Sequence, residues 1–163
     1  MTSKRYLILS LLIFGLTSLT FAQKGKSNDW TEKSLQKLYV DYLESEGISP
    51  TIDSDGDIQF KYERYTYFID VDESDTEFFR IVLYNVWPIE SVTEALQVTQ
   101  ACSYVNRKIK CVKIYPTTND NVWVSTELFV GSPEDFKDSF WRCIKVINDG
   151  TTSFAQQMKN SVD

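Results

Sequence analysis

The chain has 163 residues, with 17 lysines and arginines against 23 aspartates and glutamates, three cysteines and no histidine. Without imidazole there is no Ser-His-Asp or Cys-His proton shuttle near neutral pH, no His-based zinc site and no iron facial triad. A net charge of −6 with no basic cluster speaks against nucleic acid as a partner, because such a surface repels phosphate.

Lys4 and Arg5 precede an apolar run over 6–16, and small or polar residues follow over 17–22. A basic head, a short apolar centre and a small residue at the cut form the layout of a secretory signal peptide. The run is shorter than the roughly 20 apolar residues that span a bilayer. We therefore expect cleavage after Ala22 and a periplasmic or secreted product; an uncleaved anchor is the alternative. No cysteine lies near the cut, which disfavours a lipoprotein. Removing 22 residues with two positive charges leaves 141 residues carrying 15 basic and 23 acidic groups, a charge of −8. That length suits one domain, and that charge disfavours docking on anionic membrane. Residues 23–28 read as a polar tether and 29–160 as the folded domain.

Asp29 is the expected cap of a first helix, with Glu32 completing a capping box. Leu35, Leu38, Tyr39, Tyr42 and Leu43 form its apolar face, and Gly47 ends it. From Thr51 the period falls to two. Asp55-Gly56 separates 51–53 from the alternating Ile58, Phe60 and Tyr62, a hairpin signal. Glu63-Arg64 is a second turn, before Tyr65, Tyr67, Ile69 and Val71. The acidic stretch 70–77 reads as a loop, and 78–87 as the longest strand, stopped by Pro88. Connections this short suit an antiparallel meander.

Ser91 and Glu94 form a capping box for a second helix running to Lys108, with Val92, Ala95, Leu96, Thr99 and Cys102 on one side. Segments 110–115 and 122–130 are two further strands. Ser132-Pro133 opens the last helix, whose face is Phe136, Phe140, Ile144 and Ile147. Gly150 is expected to break or kink it before Phe154 and Met158. The fold class is α+β: an antiparallel sheet of about five to six strands with three helices on one face, in the order α-β-β-β(-β)-α-β-β-α. Whether 51–53 is a separate strand is left open by the pattern.

Residues 43–158 resemble the YbjN domain family, which has the type III secretion chaperone-like fold. The resemblance rests on 42–47 (YLESEG), 50–58 (PTIDSDGDI), 67–73 (YFIDVDE) with Phe78-Phe79-Arg80, then Val105-Asn106-Arg107-Lys108 and Pro133-Glu134-Asp135-Phe136. It implies a helix, three strands, a helix, two strands and a helix. Family members are labelled sensory-transduction regulators, a label that supplies no active-site residues. Structural relatives are dimeric, non-catalytic chaperones that hold extended client segments; an exported chain departs from that cytosolic role.

Asp53-Ser54-Asp55-Gly56-Asp57 suggests a calcium loop, but an EF-hand needs glycine at position six and glutamate at twelve. Counting from Asp53, those positions hold Ile58 and Arg64, so a solvated hairpin turn is the reading. Asp70, Asp72, Glu73, Asp75 and Glu77 form a second acidic cluster, read as a solvated loop. No Gly-rich phosphate loop is present, and no cofactor is expected. The odd cysteine count leaves at least one thiol unpaired. Cys102, Cys111 and Cys143 are read as three buried hydrophobes, a single bridge involving Cys102 being the alternative.

Aromatic residues make up 14 % of the chain and fall on both faces of some strands. If Val112, Ile114, Val122 and Val124 face the core, then Cys111, Lys113, Tyr115, Trp123, Glu127 and Phe129 face away. On the long strand, inward Phe79, Ile81 and Leu83 leave Phe78, Arg80, Val82 and Tyr84 outside. A helix-free sheet face carrying Phe78, Tyr84, Tyr115, Trp123 and Phe129 is the candidate interaction surface, for a protein partner or a homodimer. The sequence thus reads as a non-enzymatic exported interaction module. The alternative is an ion- or small-molecule-binding, enzyme-like domain using the acidic loop 70–77.

Overall fold

The computed structural model describes residues 30–160. The expected signal peptide, its cleavage site, the tether and Asp29 lie outside them.

Helix α1 spans Glu32–Ser45, and its N-cap is Thr31. The Thr31 side chain accepts from the Ser34 amide while the Ser34 hydroxyl accepts from the Thr31 amide, so the capping box is Thr31/Ser34 and not Asp29/Glu32. Leu35, Tyr39 and Leu43 are buried, with Leu38 and Tyr42 at the margin of that face. The helix closes in a Schellman motif. Ile48 donates to Leu43 O at 2.9 Å and Gly47 to Glu44 O at 3.0 Å, with Gly47 in the left-handed region at φ +77°.

Six strands follow in one antiparallel sheet: β1 (Thr51–Ile52), β2 (Ile58–Tyr62), β3 (Tyr65–Ile69), β4 (Phe78–Pro88), β5 (Lys113–Pro116) and β6 (Asn121–Phe129), in spatial order β1-β2-β3-β4-β6-β5. The two-residue β1 is a separate strand, joined to β2 by a turn in which Asp53 Oδ1 accepts from the Asp55 and Asp57 amides. Helix α2 is Val92–Lys108 and helix α3 is Phe140–Asn160.

Every helix among the described residues packs on one side of the sheet, as the α+β reading expects. Ile58 and Phe60, Tyr67 and Ile69, Phe79, Ile81 and Leu83, Ile114, and Val122 and Val124 alternate inward from their strands. They meet Leu35, Tyr39 and Leu43 of α1, Val98 and Val105 of α2, and Ile144, Ile147 and Phe154 of α3 in one continuous core. Tyr67 reaches through this layer to donate to Asn148 Oδ1 at 2.7 Å, and burial pushes its phenol up to about 12.

Several expectations need correcting. In α2 the buried residues are Val98, Ala101, Cys102 and Val105, whereas Val92 and Leu96 stand 82 % and 63 % exposed. Ser91 caps the helix, but Glu94 does not close a box: its carboxylate accepts from the Trp87 indole and the Glu90 amide. The segment expected as one last helix is a six-residue 3-10 helix, Pro133–Asp138, followed at Phe140 by α3. The interruption falls at Ser139, and α3 runs unbroken through Gly150. A Cβ there would meet Val112 Cγ2 at 2.8 Å, so glycine serves a close approach of α3 to the segment before β5. Cys111 is not a strand residue; it is an exposed turn residue at φ +62°.

Candidate functional site

With the helices on one side, the other side of the sheet carries the side chains that alternate out of phase with the core. From β3 this is Phe68, from β4 Phe78, Arg80, Val82 and Tyr84, from β6 Trp123, Ser125, Glu127 and Phe129, and from β5 Lys113 and Tyr115. Cross-strand register brings them together: Phe68 opposite Val82, Arg80 opposite Glu127, Phe78 opposite Phe129, and Tyr115 opposite Trp123.

Three of the five expected residues join in one aromatic row. Tyr84 lies 4.3 Å from Trp123 between ring centroids, Trp123 lies 6.3 Å from Tyr115, and Phe68 extends the row at 4.6 Å from Tyr84. Such tilted contacts exceed simple area burial by roughly 0.5–1.5 kcal/mol. The other two, Phe78 and Phe129, pair at 5.7 Å at the far end of β4 and β6, with Phe129 86 % exposed. Phe68 was overlooked in the sequence, although inward Tyr67 and Ile69 required it to point out.

A bulge shapes the row. Leu83 pairs with Val124 and Trp87 with Val122, so Tyr84, Asn85 and Val86 face Trp123 alone. Asn85 takes φ +53°, a conformation asparagine tolerates, and its Oδ1 accepts from the Trp123 indole at 3.2 Å. A shallow groove of about 490 Å³ runs beside it, with Gln59, Thr66, Phe68, Tyr84 and Asn85 in its lining.

Between the two aromatic groups sits a polar knot. Arg80 donates to Asp70 Oδ2 at 2.5 Å and to the Tyr115 hydroxyl at 2.8 Å, and its Nε lies 3.3 Å from Glu127 Oε1. Lys113 reaches the same Glu127 at 3.0 Å, and the Ser125 hydroxyl donates to it at 3.2 Å. Burial pushes Asp70 above the usual carboxylate range even though Arg80 pulls it down. Burial also works against the Arg80 charge, but Asp70 outweighs it and holds the guanidinium above its ordinary value.

The acidic loop has other engagements. Asp70 holds Arg80; Asp72 accepts from the Ser74 amide and hydroxyl, which pull it below the usual range. Glu73 accepts from the Glu32 amide at 2.9 Å, an acid placed at the N-terminus of α1. Among the described residues no three Cys, Asp or Glu side chains gather as a metal site, and no helix is long and apolar enough to cross a membrane.

No family model matches the chain, and no curated protein matches it in sequence. Its fold is nevertheless that of solved proteins. The crystal structure of YbjN from E. coli, put forward as a transcription regulator, superposes with a TM-score of 0.58 over 80 % of this chain and 96 % of its own, at 14 % identity. An uncharacterized protein from Methanothermobacter thermautotrophicus superposes with a TM-score of 0.56 over 78 % of this chain and 98 % of its own, at 13 % identity. The chain therefore has a YbjN-like fold.

Proposed function

We propose that this chain is an exported binding module that holds a protein partner, or a second copy of itself, against the bare face of its sheet. One observation carries the reading: the face opposite all the helices presents a contiguous row of Phe68, Tyr84, Trp123 and Tyr115 and a second pair ending in the exposed Phe129. Aromatic residues grouped on one surface with an arginine among them match the enrichment of aromatics and arginine in protein interfaces.

The edges of the sheet favour the face over strand addition. Strand β1 offers two residues, and β5 ends in Pro116. The outward amide and carbonyl of Ile114 in β5 are both taken by the Asn106 side chain, at 3.0 and 2.9 Å. The layout of residues 1–22 supports export, and the lack of histidine together with the engagement of Asp70, Asp72 and Glu73 within the fold supports binding without catalysis.

A photo-crosslinking amino acid at position 123 in the native host, compared with one at Lys159 on the helical side, tests the site. Protein adducts are expected from position 123 alone; equal labelling from both positions would refute the face. Trp123→Asp should abolish the adducts formed by a crosslinker at position 115 while leaving a folded protein, and gross unfolding would mean that Trp123 belongs to the core. A mature N-terminus at Gln23 would establish export.

A further inference from the structure

A cavity of about 290 Å³ on the helical side belongs to neither aromatic group. It lies where the turn before β5 meets α3, and Cys111, Cys143, Thr126 and Leu128 are among its lining. Two cysteines from distant parts of the chain thus open into one space. Cys143 is buried on the first turn of α3, and Cys111 is exposed. The neighbouring Val112 is in close contact with α3, since a Cβ on Gly150 would approach it to 2.8 Å.

Two further observations describe the surroundings of the two thiols. The Thr126 hydroxyl, 1 % exposed, lines the cavity beside the Cys143 thiol and is a hydrogen-bonding neighbour of it. Cys111 holds φ +62°, a region where a cysteine is uncommon and strained. An accessible thiol in an uncommon backbone conformation thus borders the same space as a buried thiol.

We propose that Cys111 and Cys143 are a redox pair that closes across this cavity into an intramolecular disulfide, tying the turn before β5 to α3. The oxidant is an external disulfide. Cys111, the accessible thiol, loses its proton, and its sulfur attacks one sulfur of the oxidant; a mixed disulfide forms and one thiolate leaves and is protonated. Cys143 then gives up its proton and attacks the Cys111 sulfur, expelling the second thiolate. Two protein thiols are oxidised and one external disulfide is reduced to two thiols. Cys111 acts first because burial raises the Cys143 thiol above its ordinary range. The closed loop leaves Cys102, buried on α2, as the unpaired thiol.

The full chain is incubated with oxidised glutathione in native buffer, alkylated and digested with trypsin. Cleavage after Lys110, Lys113, Arg142 and Lys145 isolates the pair as Cys111-Val112-Lys113 and Cys143-Ile144-Lys145. These two tripeptides joined by a disulfide, with Cys102 alkylated only after unfolding, are the expected result. The Cys102→Ala variant should give the same joined product, and Cys143→Ala should stop at a glutathione adduct on Cys111. Three alkylated thiols, a glutathione adduct that persists in the wild-type chain, or a bridge that includes Cys102 would each overturn the proposal.

Discussion

Arg80 joins Asp70 and Glu127 at the centre of an aromatic surface, and its removal would leave Asp70 without its cation beside a Glu127 held by Lys113 alone. Arg80→Met keeps the length of the side chain and deletes the charge. Breaking a fully buried pair this way costs about 3–5 kcal/mol, and partial exposure here reduces that to about 2 kcal/mol at pH 7. The sign with pH follows from Asp70. Its folded-state pKa already lies above the unfolded value, so the folded state takes up the proton first. Stability from that source is present below the unfolded carboxylate pKa and is lost as pH rises through the folded one. Without Arg80 the folded pKa moves higher still. The variant should therefore be most deficient near neutral pH and recover toward wild type near pH 4.5. Urea titrations at the two pH values measure this, and an equal deficit at both would show that Asp70 does not set the cost. At the same scale, Thr31→Ala should lower stability by about 1 kcal/mol through loss of the α1 cap.

Elements were legible where one periodicity dominated. Alternation placed Phe79, Ile81 and Leu83 inward, and the outward set that includes Tyr84 and Trp123 followed from the same period. The extent of helix α2 was legible, from its Ser91 cap to Lys108, but its buried face was not, because two apolar stripes compete along it. Val92, Ala95, Leu96 and Thr99 form one; Val98, Ala101, Cys102 and Val105 form the other, and only the packing of α2 against α3 and β5 selects the second. Local pattern cannot report that choice. Gly150 misled for a similar reason. Glycine in a helix costs about 1 kcal/mol against alanine, which reads as a break, whereas here it admits Val112 at close range. Gly150→Ala should destabilise by about 1 kcal/mol, the overpacking outweighing the gain in helix propensity. Adding Val112→Ala should make room and return part of that loss. Additive losses in the double variant would remove the close approach as the reason for glycine. The bulge at Tyr84–Val86 was invisible too, since neither glycine nor proline marks it, and with it the Asn85–Trp123 bond that orients the indole. Asn106 was placed in the helix by its sequence, but its clasp on Ile114 is tertiary. Asn106→Ala should cost about 2 kcal/mol for two hydrogen bonds and free a strand edge, detectable as new light scattering at high concentration.

A sheet covered on one side has to find the stability of its bare side from within. The β4–β6 pair does so: Val82, Ser125 and Thr126 are buried although Val82 and Ser125 point away from the helices, because Phe68, Tyr84, Trp123, Arg80 and Glu127 close over them. The bare face is thus a thin second layer of aromatic and ionic side chains and not an exposed backbone. It is this layer, more than any single exposed residue, that shields the strands on the side away from the helices. The arrangement predicts a gradient of opening across the molecule. Amides of β4 and β6 between Ile81 and Leu83, and between Val124 and Thr126, are central in the sheet and shielded on both sides, so they should exchange only through global unfolding. The two-residue β1 at the edge should exchange orders of magnitude faster. Trp123→Asp breaches the layer locally, so it should speed exchange at Ser125 and Val82 while leaving Ile58, Ile69 and the α3 amides at wild-type rates. Hydrogen-exchange mass spectrometry on the two proteins reads this directly. Acceleration that spreads to α3 would show that the aromatic row supports the helical core, and that its exposure to a partner is not its purpose.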